Sequence, residues 1–268
     1  MTISTDNIAA EFLELASEQR LNIIQNLDKK NYTISGMAKE LGATAPEVHR
    51  NFSRLTNSAL IAKNVDGTYT LTLFGQTVCR QIPWMVFLLS NKKHFAEHNY
   101  DGMPEKFVHR IGELSNSKII SGYVRVLETW NNIYKNAEKY IYNILVDVSY
   151  NSDLVENLIR KLESNVKIQS IFSEYAIVSE DRLKILKEKN FKKFIMDDML
   201  KRRMKKDVKI IVVMNELEAT VSFPSNKNEV DLSQMFYSKD ASFHEWCLDY
   251  FDYSWKTSKS FQESKLTL

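Results

Sequence analysis

Read as a pattern of apolar and polar positions, the first eighty residues lay out short helices followed by a hairpin. Leu21, Ile24 and Leu27 recur on one side of a helix that Ser17 is placed to cap. Asn31-Tyr32 breaks that pattern. Ile34, Met37, Ala38 and Leu41 then fall at i, i+3, i+4 and i+7, and Gly42 follows directly, as after a helix end. Thr44-Ala45-Pro46-Glu47 opens the next helix: Thr44 is a cap, Pro46 suits the first turn, and Glu47 completes a capping box. That helix buries Val48, Phe52 and Leu55 and turns His49, Arg50, Ser53 and Arg54 outward. Residues 60–62 lead into Asp66-Gly67, expected as a two-residue turn with positive φ at both positions. Residues 68–72 return with strict alternation, Tyr69 and Leu71 inward.

Beyond the hairpin, Thr72 caps a helix over residues 73–89, in which Pro83 predicts a kink or a restart. Phe87 and Leu88 are its candidates for pairing with a second copy. Asn99-Tyr100-Asp101-Gly102-Met103-Pro104 is a loop signal, followed by helix faces over 107–114 and 123–138. From residue 140 the pattern becomes α/β. Strands are expected at 140–148, 166–172, 208–214 and 217–223, the last two antiparallel about Asn215-Glu216. Helices are expected from Asn151-Ser152-Asp153 and after Ser179-Glu180-Asp181, and a final one places Phe243, Trp246, Cys247, Tyr250, Phe251 and Ser254 on one face. Tyr250 is expected at the polar edge of a cavity. The fold class is therefore α+β or α/β: a winged helix-turn-helix over 1–80, a helical connector and dimerisation region over 81–136, a mixed-sheet regulatory domain over 137–258, and a polar tail over 259–268.

Composition narrows the class. The 268 residues allow about two domains of ~150 residues, and 44% hydrophobic with 26% charged residues is ordinary for a globular chain. The N-terminus is acidic, with no basic stretch before an apolar run, so no signal peptide is expected. The longest apolar run, residues 82–89, is far short of the ~20 residues that span a bilayer. Cys79 and Cys247 make no disulfide framework, and a reduced, cytoplasmic compartment is expected. Total charge is only +2, but residues 19–80 carry eight bases against four acids. Residues 182–209 carry twelve against four, centred on Lys201-Arg202-Arg203-Met204-Lys205-Lys206. That run is either a solvated helix end or a second anionic contact, with Arg202, Arg203, Lys205 and Lys206 as its residues.

The helical spacing has a mechanical use. A short helix braces a second one whose exposed N-terminal half enters the major groove of double-stranded DNA, ~12 Å wide. Thr44, Ala45 and Pro46 set the first turn against a phosphate. Arg50 suits guanine O6 and N7, and His49, Ser53 and Arg54 share its face. Lys63, Asn64 and Thr68 serve the wing.

Residues 16–75 resemble the ArsR-like winged-helix regulators of archaea and bacteria. The resemblance runs through LASEQRLNIIQNL, ISGMAKELGATAPEVHRNFSRL, ALIAKN and DGTYTLTLFG, including the Y-x-L-T-x-x-G run. The paired thiols of metal-sensing members are absent, so no metal sensing is implied. PEKFVHRIGEL, VMNELEATVSFP and FHEWCLDYFDYSW, within residues 104–256, resemble archaeal regulators with a methanogenesis-regulatory-protein middle domain. That domain is distantly related to the phospholipase-D-like sensor domain of archaeal sugar-responsive regulators. The resemblance implies ligand sensing or assembly. Phospholipase-D catalysis needs His-x-Lys, and no histidine here has Lys two residues on. Gly-x-Gly, Gly-Lys-Ser/Thr and Gly-x-Ser-x-Gly are also missing. His94 and His98 lack the Glu of a zinc motif and are expected at the surface. No catalytic residue, metal or cofactor is assigned, and the chain is expected not to be an enzyme. The expectation is a homodimeric DNA-binding transcriptional regulator that answers to a small-molecule effector, the alternative being a winged-helix protein–protein assembly module.

Overall fold

In the computed structural model, which describes residues 5–147, 152–176 and 191–262, the chain divides between Met85 and Val86 into two units. The first contains α1 (Thr5–Leu15), α2 (Glu18–Lys29), α3 (Ile34–Leu41), α4 (Ala45–Asn57), β1 (Ile61–Lys63), β2 (Tyr69–Leu71) and the start of α5 (Leu73–Ser90). Local chemistry fixes the ends of these helices. Thr33 Oγ1 accepts the Gly36 N–H at 3.1 Å and caps α3. Gly42 ends α3 at φ 62°, in the left-handed region that glycine enters without a Cβ clash. At α4 the Glu47 carboxylate accepts from the Thr44 N–H at 2.9 Å and from its hydroxyl at 2.7 Å. Val48, Phe52 and Leu55 of α4 close the core with Ile23, Ile24, Leu27 and Met37.

Three local expectations are corrected in this unit. The hairpin loop is a three-residue connection, not a two-residue one. Gly67 N–H donates to Asn64 O at 3.1 Å, Asn64 N–H donates to Thr68 O at 2.7 Å, and of Asp66 and Gly67 only Gly67 has positive φ, 82°. Asp66 instead accepts from Thr68, at 2.9 Å from its N–H and 2.6 Å from its hydroxyl. Tyr32 is not merely a break, because it exchanges backbone hydrogen bonds with Tyr69 and adds a one-residue bridge to the hairpin. Finally, α5 does not restart at Pro83 but runs as one helix from Leu73 to Ser90. Gly75, in its first turn, lies against the residue that precedes β1: a Cβ there would stand 1.9 Å from the Leu60 carbonyl oxygen.

The second unit is built on a mixed sheet. Its elements are α6 (Lys92–Glu97), α7 (Glu105–Val108), a 3-10 turn (Ile111–Leu114), β3 (Lys118–Ser121), α8 (Tyr123–Asn136) and β4 (Tyr140–Leu145). There follow α9 (Ser152–Glu163), β5 (Lys167–Ser173), α10 (Phe191–Met196), β6 (Leu200–Lys205), β7 (Ile211–Asn215), β8 (Ala219–Ser222), β9 (Gln234–Ser238), α11 (Ala241–Thr257) and β10 (Lys259–Ser260). Among the described residues the strand order is β10-β6-β5-β4-β7-β8-β9-β3. β4, β5 and β6 are parallel, and every other neighbouring pair is antiparallel. Side chains alternate across β4: Tyr142 stacks on Phe251 of α11, while Asn143 reaches Tyr134 of α8. Helices therefore cover both faces, as expected of the fold class. All six residues read as the inner face of α11 are buried. The β7–β8 turn is held by Asn215 Oδ1, which accepts from Leu217 and Glu218 N–H.

The corrections here concern charge and edges. The basic run as far as Lys205 is a strand, β6, not a helix end, because Leu200 and Met204 are buried while Arg202 and Arg203 find partners on the tail and α11 and Lys201 pairs with Asp198. The connector region carries β3, which pairs with β9, and the tail carries β10, which pairs with β6. The single helix face over 107–114 is two short turns. Tyr250 stacks on Trp246 within the core, with ring centroids 5.6 Å apart. The helix expected after Ser179-Glu180-Asp181 lies outside the described residues.

Candidate nucleic-acid interface

Packing of Val48, Phe52 and Leu55 inward forces the other side of α4 into solvent. Thr44, Ala45, Pro46, His49, Arg50, Ser53 and Arg54 are all exposed. Among the described residues, His49 and Arg50 make no side-chain hydrogen bond and Arg50 no ion pair, so both are available to an incoming polar group. Arg54 is engaged: its guanidinium donates two bonds, at 2.8 and 2.6 Å, to the Glu14 carboxylate of α1. Those bonds hold the Glu14 carboxyl below its usual pKa. Arg54 therefore reads less as a contact to nucleic acid than as a tie between α4 and α1.

In the wing, Lys63 is exposed, while Asn64 and Thr68 are half-buried and hydrogen-bonded to each other at 3.0 Å. They shape the turn. Asp66 is held below its usual pKa by Thr68, and Val65 beside it is fully exposed. A cleft of 680 Å³ opens between the start of α3 and the base of the wing, lined by Lys30, Thr33, Gly36, Lys39, Glu40 and Thr68 among others. Lys30 and Lys39 were missed in the sequence because they lie on either side of the Tyr32 break, and only the bridge to Tyr69 brings that segment to the wing. The Thr33 cap was the available signal.

The basic run is brought together only in part. Arg203 donates to the carbonyls of Trp255 at 2.7 Å and Ser258 at 3.1 Å, with its guanidinium over the Trp255 ring. Arg202 lies over Phe261, at 4.1 Å, and Lys205 over Tyr253, at 5.6 Å. Burial lowers the pKa of Lys205. Lys206 is exposed. These cations hold β6, α11 and the tail together before they serve any outside anion.

His94 and His98 are buried, not at the surface: His94 of α6 packs against Phe95, Phe223 and Phe236, and His98 follows directly after the helix. Their rings stack with centroids 3.8 Å apart. His98 bonds the His94 carbonyl through Nδ1 and Asp231 through Nε2, both at 2.8 Å. Burial, helped by His98, lowers the pKa of His94 to about 4. Among the described residues no three His, Cys, Asp or Glu side chains converge as a metal site, and no helix is long and apolar enough to cross a membrane. Both cysteines are buried, which raises their pKa values.

No family model matches the sequence, and no curated protein matches it. Solved structures do match. TrmBL2, described as an archaeal chromatin protein with a novel mode of DNA binding, aligns over 96% of this chain and 100% of its own, with 12% identity and a TM-score of 0.43. Nuc, a phospholipase D family member from Salmonella typhimurium, aligns over 55% of this chain and 99% of its own, at 9% identity and a TM-score of 0.40. The S-adenosylmethionine-dependent methyltransferase SibL aligns over 73% of this chain and 62% of its own, at 12% identity and a TM-score of 0.26. With phospholipase D-type and methyltransferase chains among the matches, the expectation of a chain apart from enzymes is corrected.

Proposed function

We propose that this chain is a transcriptional regulator that binds double-stranded DNA as a homodimer through its first unit, an ArsR-like winged helix. The observation that carries it is the outward side of α4. His49, Arg50 and Ser53 stand exposed and, among the described residues, without a side-chain hydrogen bond, behind an exposed first turn at Thr44, Ala45 and Pro46. That combination suits a helix entering the major groove with a phosphate at its N-terminus. Lys63, with Lys30 and Lys39 of the neighbouring cleft, supplies backbone contacts. The two-fold site would have half-sites one or two helical turns apart, ~34 Å per turn. Exposed Ile8, Phe12 and Leu13 on α1 and Met85, Val86 and Leu89 on α5 support self-association. Phe87, by contrast, is buried against Phe95 and Phe236. The second unit serves as the effector or assembly domain.

The test is selection from a random DNA pool at two salt concentrations, followed by sequencing. An enriched palindrome supports the reading, and retention that leaves no enriched sequence refutes base readout. The wing tip favours a second reading, a winged helix that binds protein, since exposed Val65 and anionic Asp66 are poorly suited to phosphate. A partner retained at high salt, with no DNA bound at low salt, would establish that instead.

A further inference from the structure

The second unit holds a cavity that nothing in the winged-helix reading uses. It lies between α8 and the β8–β9–β3 side of the sheet, with a volume of 250 Å³. Thr129, Asn132 and Asn136 line it from α8 at i, i+3 and i+7. Glu218, 3% exposed, forms part of its wall. Both carboxylate oxygens of Glu218 are already occupied by this chain. Oε1 accepts from Asn136 Nδ2 at 2.9 Å, and Oε2 accepts from the Tyr237 hydroxyl at 2.5 Å, with Lys239 Nζ at 3.8 Å. Lys118 Nζ lies 5.0 Å from the centre of the Tyr237 ring. Among the described residues it has no carboxylate within ion-pair reach.

Two ammonium groups thus meet one carboxylate across a small polar cavity. The remaining unit of positive charge calls for an anion. Tyr237 refines the requirement. Its hydroxyl proton is committed to Glu218, and burial, together with that acceptor, raises its pKa well above the usual value. The Tyr237 oxygen can therefore only accept, so it suits a ligand hydroxyl. Asn132, exposed on the same wall, adds an amide that both donates and accepts.

We propose that this cavity binds a small hydroxylated anion, a phosphate monoester or a carboxylate, with Lys118 and Lys239 on its charge and Tyr237 on a hydroxyl. This deepens the reading of the second unit as a sensor. Binding is measured without DNA, so its failure and that of the DNA reading remain distinguishable.

The experiment is calorimetric titration of the full chain with glycerol 3-phosphate, with glycerate, and with uncharged glycerol. Saturable binding of at least one anion is expected, with a Kd of about 1 mM or tighter. Lys118→Gln and Lys239→Gln should each weaken it about tenfold, about 1.4 kcal/mol, whereas Lys206→Gln should leave it unchanged. The two probes tell the phosphate from the carboxylate. In the unsubstituted protein, the bound anion should also slow chemical acetylation of Lys118 and Lys239, read by mass spectrometry, a measurement that does not depend on any variant folding. No saturable binding of either anion, equal binding of glycerol, or affinity undiminished in both lysine variants would overturn the proposal.

Discussion

Arg50 and Arg54 lie one turn apart on α4, yet of the two only Arg54 is ion-paired among the described residues. Their substitutions should separate cleanly. Arg50→Ala is expected to cost ~1–3 kcal/mol of DNA affinity, concentrated at one base position, and to leave the thermal midpoint where it is. Arg54→Ala should lower the midpoint at neutral pH by leaving Glu14 with Arg20 alone, at 3.7 Å. Because the folded pKa of Glu14 is depressed, the pairing with Arg54 stabilises above the unfolded carboxyl value and is lost as pH falls through the folded one, so the two proteins should melt alike in acid. Anisotropy on labelled DNA and melting curves at two pH values check both outcomes. His94 makes the second prediction at this scale. Its pKa is about 4 in the fold against 6.5 unfolded, so between those values the unfolded chain binds the extra proton. Stability is then complete above pH 6.5 and declines toward pH 4, by about 3 kcal/mol in all. Asp231, which burial pushes up but Ser233 and His98 hold below its usual pKa, works in the same direction at lower pH. His94→Phe, by removing the imidazole, should flatten the urea-unfolding profile between pH 7 and 4.5. An unchanged slope would place the acid sensitivity elsewhere.

At the scale of elements, Gly75 couples the hairpin to α5. The Leu60 carbonyl accepts from the Thr72 N–H at 3.1 Å, and the first turn of α5 then passes so close that a Cβ would stand 1.9 Å from the same oxygen. Backbone cannot yield as a flexible side chain can. Gly75→Ala should destabilise the first unit by about 1–3 kcal/mol, with hydrogen exchange accelerating at Thr72 and Leu71, while the second unit keeps its protection. This glycine was visible in the sequence as the end of the Y-x-L-T-x-x-G run, but its reason was not, because it depends on a carbonyl fifteen residues earlier. The same division runs through the chain. The capping box of α4, the Gly42 stop and the inner face of α11 were legible, since each is set by neighbours within a turn or two. β6 was not, because charged residues make a poor strand until Trp255, Tyr253 and Phe261, distant in sequence, supply rings and carbonyls for them. β3 and β9 were missed because β3 is a largely exposed edge strand with no inward alternation, and β9 is set by pairing with β3, distant in sequence, and with β8. The cavity at Glu218 was missed because its walls come from four separated segments. On the candidate interface, the exposed side of α4 was legible, but the commitment of Arg54 to Glu14 required α1, where only polar sequence had been read.

Across the whole molecule, the net charge of +2 says little about a DNA partner, because the charges are unevenly placed and unevenly free. In the first unit, Lys30, Lys39, Arg50 and Lys63 are exposed, and Glu14 holds Arg54. In the second, Arg203 and Lys205 stand over rings of α11, Arg202 stands over Phe261, and Lys206 is exposed. Salt dependence counts the cations that meet phosphate, whatever their sequence neighbourhood. With Arg50 on a base, the three phosphate contacts Lys30, Lys39 and Lys63, at ~0.9 each, give a log–log slope of about −2.7 per protomer, and about −5.4 for a dimer. Lys63→Gln should make the dimer slope shallower by about 2, one contact from each protomer, and should do so on specific and random DNA alike. Lys206→Gln should leave it unchanged if the first unit alone meets the duplex. A slope near −5.4 that Lys206→Gln does not move would assign DNA binding to the first unit and leave the basic strand to its internal work. A steeper slope that Lys206→Gln relieves would bring β6 into the interface, and the cations on its aromatic rings would then have to serve both core and phosphate.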